Sequence, residues 1–321
     1  MSATASGPLG VLLMTYGSAG NANEVEGYLR SVRGGKAPDP ELVAEFTRRY
    51  EVVGWSPLIR ITHAQAAALQ QRLNADAGAE RYLVEAAMLH SEPRVGQVVD
   101  RLVEAGAERL LGIVLSPQYS PIIMGGYGRA LQAAAAAAGV DPGVDPDRVR
   151  VAGAWHDLPA FLDALAERVR QALARLPDDV PVIFTAHSLP KRVVDQEPGY
   201  IDQLKETAEA LAKRAGLDSE RWQWAYQSAG HTPEEWLKPD LKDLLPGLRT
   251  AGHQDVLVAP VQFLADHLEI LYDLDVAARE EAEAAGIGYN RIELLNTDPA
   301  FIRSLAEVVR REEQAEATAA R

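Results

Sequence analysis

The chain contains no cysteine. That excludes disulfides, thiolate zinc sites and cysteine-held iron–sulfur clusters, and it suits the reducing cytoplasm in which we expect the protein to work. Long apolar runs are also missing. Nothing approaches the ~18 uninterrupted apolar residues of a membrane span. The alanine block 133–138 sits inside an ordinary helix pattern, so no integral membrane segment is expected. Met1–Pro8 is small and uncharged, without the basic stretch that opens a secretory signal. Positive charge is scarce: 32 Lys and Arg stand against 46 Asp and Glu, a formal net charge of −14, and no Lys/Arg run exceeds two residues. Such a chain repels nucleic acid and anionic lipid, so neither is expected as a partner. Phosphate loops are absent too: neither G-x-G-x-x-G after a strand nor a Walker A sequence occurs, which leaves nucleotide binding without local support.

What is present is an ordinary globular balance, 47% hydrophobic and 24% charged, over 321 residues. That length exceeds the ~250–300 residues at which a single core stops growing, so two domains are the default. Short β-branched or aliphatic runs alternate with helix-period segments. The strand candidates are Val11–Thr15, Tyr82–Met88, Leu110–Leu115, Val149–Ala152, Val182–Thr185, Trp222–Tyr226, Val256–Ala259 and Tyr289–Leu294. Between most of them lie patterns such as 93–106, with apolar residues three and four apart. This alternation implies parallel sheets covered on both faces, hence an α/β protein.

The strand candidates fall into two sets of four with a break near Trp155–Pro159. We expect two Rossmann-like, doubly wound domains with four-stranded parallel sheets, 1–157 and 158–297, hinged around residues 155–160. Residues 298–321 read as a C-terminal helix and tail that packs back on the N-terminal domain. The first domain carries a helical insertion at 18–75, with helix patterns at 23–33, 39–51 and 60–74, too much for one crossover. An insertion at the C-terminal end of a strand is placed to cover a site. A short internal echo also stands out: Leu89-His90-Ser91-Glu92-Pro93 after the second strand and Ala186-His187-Ser188-Leu189-Pro190 after the fifth.

Ligands of open parallel sheets bind outside the carboxyl ends of the strands. There the sequence offers Tyr16 and Gly17, then His90, Gln118-Tyr119-Ser120, His187-Ser188, Gln262 and Asp266-His267-Leu268-Glu269. This is a convergence of aromatic, imidazole and carboxylate groups. His187 alone reads as a strand-end histidine capping the next helix, and Glu269 alone as an acid at a helix start. Glu269 and Asp273, four apart on one face, are costly if buried together and make more sense as a hydrated path for a cation or proton. A serine hydrolase is poorly supported, because His187 and Ser188 are neighbours and no G-x-S-x-G occurs. So is a permanent zinc site, since His63, His156, His231 and His253 form no ligand-spaced set. GGYG at 125–128 reads as a flexible, aromatic-bearing turn, and SPIIMGGYG (120–128) as an apolar lip. Trp224 and the PQYS segment are candidate walls.

Several segments together resemble the ferrochelatase family. They are LLMTYGS (12–18), YLRSVRGGKAPDPELVAEFTRRYEVVGWSPL (28–58), LSPQYS (115–120), FTAHSLP (184–190), YQSAG (226–230), EEWLKPDL (234–241) and PVQFLADHLEILYDLD (260–275), ordered along essentially the whole chain. The resemblance implies a chelatase-like pair of domains with a porphyrin cleft between them, and insertion of Fe²⁺ into the porphyrin. It makes His187 and Glu269 the catalytic, metal-handling pair and adds Asp273 to the metal path. The family often has a further glutamate one turn on, where this chain has Ala277. It also implies a porphyrin-binding set of Tyr16, Arg33, Ser56, His90 and Tyr127. MTYG, with Tyr16 where protoporphyrin enzymes often carry methionine, favours coproporphyrin III as substrate and coproheme as product. Protoporphyrin IX is the alternative substrate. Fe²⁺ is then a substrate, no permanently bound cofactor and no iron–sulfur cluster is expected, and a coproheme decarboxylase is a candidate downstream partner.

Rival readings are a non-catalytic tetrapyrrole or metal carrier and a chelatase loading cobalt or nickel through two histidines. For the latter, His90 is the only obvious second imidazole. A periplasmic binding protein is disfavoured by the N-terminal composition and the lack of cysteine.

Overall fold

The computed structural model describes residues 7–140, 143, 148–230 and 233–319; His231 lies outside them. Strand β1 (Leu9–Thr15) is buried at all seven positions, the pattern of a central strand covered on both faces. It pairs in parallel with β2 (Tyr82–Met88) and β3 (Arg109–Val114), and β4 (Val149–Val151) adds beyond β3. In the second sheet β5 (Val182–His187) lies between β6 (Trp222–Gln227) and β7 (Asp255–Pro260), with β8 (Gly288–Arg291) outside β7. The strands are those the sequence marks, with ends shifted by up to three residues.

The orders β2-β1-β3-β4 and β6-β5-β7-β8 are the same order twice, so β5 is the counterpart of β1. The echoed pentapeptides do not share this equivalence. His90 follows an edge strand, whereas His187 ends a central one. The repetition therefore lies in topology, and the short sequence echo falls at unlike positions.

Three helices separate β1 from β2: α1 (Ala22–Val32), α2 (Pro40–Val52) and α3 (Leu58–Ala77). Each has a local cause. The Asn21 side chain accepts from the Asn23 N–H, Pro40 opens α2 in its first turn, and Gly78 ends α3 at φ 64°. Later come α4 (Val95–Glu104), α5 (Pro121–Ala137), α6 (Pro159–Leu173), α7 (Lys191–Val194), α8 (Pro198–Ala215) and α9 (Leu241–Thr250). After β7 the chain forms a π-helix, Glu269–Ala278, running into α10 (Arg279–Ala284), and α11 (Pro299–Ala319) closes the fold.

The 121–128 segment is helical, not the flexible turn expected. Ser120 accepts from the Ile123 N–H at 3.1 Å and Pro121 takes the first helical position, so PIIMGGYG forms the opening turns of α5. A side-chain carbon at Gly126 or Gly128 would lie 3.5 Å from Leu89 or 3.8 Å from Val151. Both are ordinary contact distances, so packing alone does not demand glycine at either position.

The largest core cluster draws on both sheets. At the join Trp155 is 1% exposed, edge-on to Phe161 at 5.1 Å and near-parallel to Phe301 at 6.4 Å. The 155–160 connection is thus a packed joint. Helix α11 lies against α3 and α6, and its Glu316 takes Arg109 (2.9 Å) and Arg150 (3.1 Å) from the first sheet. Among the described residues no helix is long and apolar enough to cross a membrane.

Candidate active site

The carboxyl ends of β1 and β5 open on one cavity of about 690 Å³, lined among others by Tyr28, Tyr50, His187, Gln227, Glu269 and Asp273. His187 is the last residue of β5, with its backbone N–H donating to Gln262 Oε1 (3.0 Å). Gln262 is anchored in turn by Tyr200 (2.7 Å). His187 Nδ1 lies 2.5 Å from the Ser188 carbonyl oxygen. A carbonyl can only accept, so Nδ1 carries a hydrogen, and Nε2 is the ring nitrogen left to take or give a proton. That Nε2 faces Glu269 Oε2 at 3.8 Å.

The same carboxylate oxygen is 3.8 Å from Nε2 of His267, whose Nδ1 donates to the Ala265 carbonyl (2.9 Å). Glu269 therefore sits between two imidazoles, each with Nδ1 directed at a backbone carbonyl and Nε2 at the carboxylate. The sequence reading named His267 but did not select it. His90, the second imidazole that the sequence suggests, meets Ser31 and not Glu269. Phe263 stands edge-on to His267 (4.6 Å) and to His187 (6.5 Å), an apolar wall behind both rings.

Burial opposes the charge on Glu269, but His187 and His267 outweigh it and hold its carboxyl down at about 2. Burial likewise opposes a proton on His267, and the neighbouring Glu269 carboxylate nevertheless raises it. Asp273, one turn on, is shifted the other way: burial, reinforced by the Glu269 charge, raises its carboxyl despite Arg49 at 3.7 Å. The carboxylate line has a gap at Ala277 and resumes at Glu281, whose carboxyl is also raised by burial; both residues line the cavity. The departure at Ala277 thus leaves an interrupted acidic track.

Of the other predicted residues, Tyr16 is 44% exposed and meets His90 edge-on at 4.4 Å. Burial, aided by the Glu269 charge, raises its phenol. Tyr127 is buried, with its phenol raised by burial and by Tyr16 beside it. Ser31 Oγ lies 3.0 Å from His90 Nδ1 and accepts from Arg94 (3.0 Å), which also donates to the Leu89 carbonyl (2.9 Å). Burial and then Arg94 lower the His90 pKa, favouring the neutral ring. Sequence reasoning missed Arg94; its place beside Ser31, 63 residues away, carries no local signal.

Arg33 is exposed at the end of α1 with no ion-pair partner among the described residues, whereas Arg30 is tied to Glu26 at 2.7 Å. Ser56 is half-buried, and its hydroxyl accepts from the Leu58 N–H (3.4 Å) at the start of α3, outside the cavity lining. Trp224 packs on the core against Tyr226 (5.5 Å) and does not line the cavity. The structure therefore assembles His187, Glu269 and Asp273 at the cavity, groups Tyr16, His90 and Tyr127 with one another outside its lining, and leaves Ser56 beside the start of α3.

Comparison with known proteins agrees with this geometry. The ferrochelatase family profile matches residues 8–313. A ferrochelatase of Deinococcus radiodurans is 38% identical over 95% of this chain and 96% of its own length. A coproporphyrin III ferrochelatase of Halalkalibacterium halodurans is also 38% identical, over 94% of this chain and 96% of its own. Among solved structures, SirB from Bacillus subtilis with Fe³⁺ shares the fold, with a TM-score of 0.56 at 11% identity over 95% of each chain. The chain belongs to the ferrochelatase family, whose members insert metal into porphyrin.

Proposed function

We propose that the porphyrin is coproporphyrin III and the product coproheme, made in the cytoplasm and passed to a coproheme decarboxylase. Tyr16 in the first-strand motif supports this reading, as does the unpaired Arg33 on a chain of net charge −14. Coproporphyrin carries four carboxylates, and an acidic protein needs local cations to hold them. The name of the Halalkalibacterium relative agrees, while that of the Deinococcus relative does not specify the porphyrin.

The observation that carries the mechanism is the Glu269 carboxylate lying 3.8 Å from Nε2 of both His187 and His267. Metalation replaces two pyrrole protons with Fe²⁺, which is a substrate here, not a resident cofactor. In our reading the Nε2 lone pair of His187 takes one pyrrole proton and passes it to solvent before taking the second. Glu269 stabilises the resulting imidazolium and, with Asp273, offers oxygen ligands to the incoming metal; imidazole and carboxylate both suit ferrous iron. No disulfide, cluster or permanent metal enters the scheme.

The test is anaerobic metalation followed by absorbance, with Fe²⁺ or Zn²⁺ and each of the two porphyrins in parallel. Turnover abolished in His187→Ala and in Glu269→Gln, with coproporphyrin preferred, is the expected result. Preference for protoporphyrin IX would overturn the substrate assignment. Porphyrin binding without metalation in the unmodified protein would point to a carrier.

A further inference from the structure

Arg291, the last residue of β8, is not among the residues lining the cavity, yet it holds the segment bearing the metal-handling groups at two points. Its guanidinium grips Asp275 in a two-pronged ion pair, Nε to Oδ1 and Nη2 to Oδ2, both 2.7 Å. Nη2 also lies 3.7 Å from Asp266 Oδ1. That oxygen is buried and has no hydrogen-bond partner, so Arg291 is its electrostatic counterpart. Asp266 precedes His267 and Glu269, and Asp275 follows Asp273. One cation therefore brackets the whole functional segment.

The bracket has a second strap. Asn296, at φ 45°, accepts from the Asp266 N–H (2.9 Å) and donates through its amide to Asp266 Oδ2 (2.8 Å). Its own N–H donates to the Leu264 carbonyl (2.8 Å). Its carbonyl accepts from Gln65 of α3 (2.6 Å), so the strap also reaches the other domain. A π-helix is a rare conformation that appears mostly as short pieces at functional sites, and ten residues of it need outside restraint.

We propose that Arg291 is a positioning residue. By joining Asp266 to Asp275 it fixes the π-helix so that Glu269 lies between His187 and His267. This rests on the reading that Glu269 handles metal or proton. It assigns a function to a residue outside the cavity lining.

Arg291→Ala, Arg291→Lys, Asp275→Asn and Glu269→Gln are compared for kcat, for porphyrin affinity by fluorescence quenching, and for thermal midpoint. Loss of groups that orient metal-binding side chains typically lowers activity ~10–100-fold. We expect that fall in kcat for Arg291→Ala with porphyrin affinity within about twofold, since the macrocycle contacts lie elsewhere. Arg291→Lys, which keeps the charge but not the fork, recovers part of it. Should Arg291→Ala not fold, the near-isosteric Asp275→Asn carries the test. Full kcat in Asp275→Asn or Arg291→Ala, or a kcat that falls only with the folded fraction, overturns the proposal. Full turnover in Glu269→Gln defeats the underlying reading instead.

Discussion

The first turn of α5 is capped from the opposite half of the molecule. Glu197, just before α8, accepts from the Ile122 N–H through Oε1 (3.1 Å), and its other oxygen takes the Ser120 hydroxyl. Gln203 of α8 pairs with both backbone groups of Tyr119, at 2.8 and 3.2 Å. This turn carries the exposed apolar side chains Tyr119 and Ile122, with Tyr127 farther along beside Tyr16. Glu197→Ala frees two cap groups. Such caps are worth ~0.5–2 kcal/mol, and bonds to a charged acceptor ~1.5–3. For a half-exposed carboxylate about 1–2 kcal/mol is reasonable. If the cap holds this lip in its substrate-binding position, that energy appears as a rise in porphyrin KM of roughly 5–30-fold at one decade per ~1.4 kcal/mol. The kcat should stay within about twofold, because His187 and Glu269 are untouched. Glu197→Gln keeps an acceptor for the Ile122 N–H and should lie near the unmodified enzyme. Steady-state metalation across porphyrin concentrations decides. A large fall in kcat at unchanged KM would show that the latch serves the metal side, and no change in either would show that α5 holds its position unaided.

Two further outcomes can be checked with the same assay. Arg33→Ala should raise the coproporphyrin KM roughly 3–10-fold while leaving protoporphyrin less affected, because an exposed charge contact with a carboxylate has modest strength; a fall confined to kcat would count against a carboxylate contact. His267→Ala should lower kcat about tenfold or more with little effect on porphyrin affinity, in line with loss of an orienting partner. It should also change the acid response of the fold. Glu269 is held at about 2 against an ordinary 4.5, so its folded pKa is depressed. The stabilisation it confers is complete above about 4.5 and disappears as pH falls through about 2. Removing His267 raises the lower edge of that window, and urea unfolding between pH 4 and pH 2 should show a smaller loss of stability in the variant; an unchanged loss would mean that His267 does not set the Glu269 charge.

Much of the architecture was legible because local period determines it. A central parallel strand must be apolar on both faces, and β1, β3, β5 and β7 announce themselves that way. The three inserted helices carry their own start or stop signals and period. Where one local cue conflicted with another, the reading went astray: glycines at 125, 126 and 128 suggested a turn, but Ser120 and Pro121 start a helix there, reinforced by a carboxylate 77 residues from Ser120. The site divides along the same line. His187, Glu269 and Asp273 stand at strand and helix ends where the sheet topology must deliver them. His267 was visible but looked like a mere neighbour of Glu269, because a spacing of two on a regular helix turns side chains apart; its place just before the π-helix brings both to one point. Arg94, Glu197 and Arg291 act across 63, 75 and 16 residues, and nothing in their surrounding sequence marks the partner. The repeated strand order accounts for this division. It turns the carboxyl ends of β1 and β5 onto one cavity, so the groups at the strand ends are fixed by topology. The residues that hold them in place come from whichever element packs nearest, and only the assembled fold shows which that is.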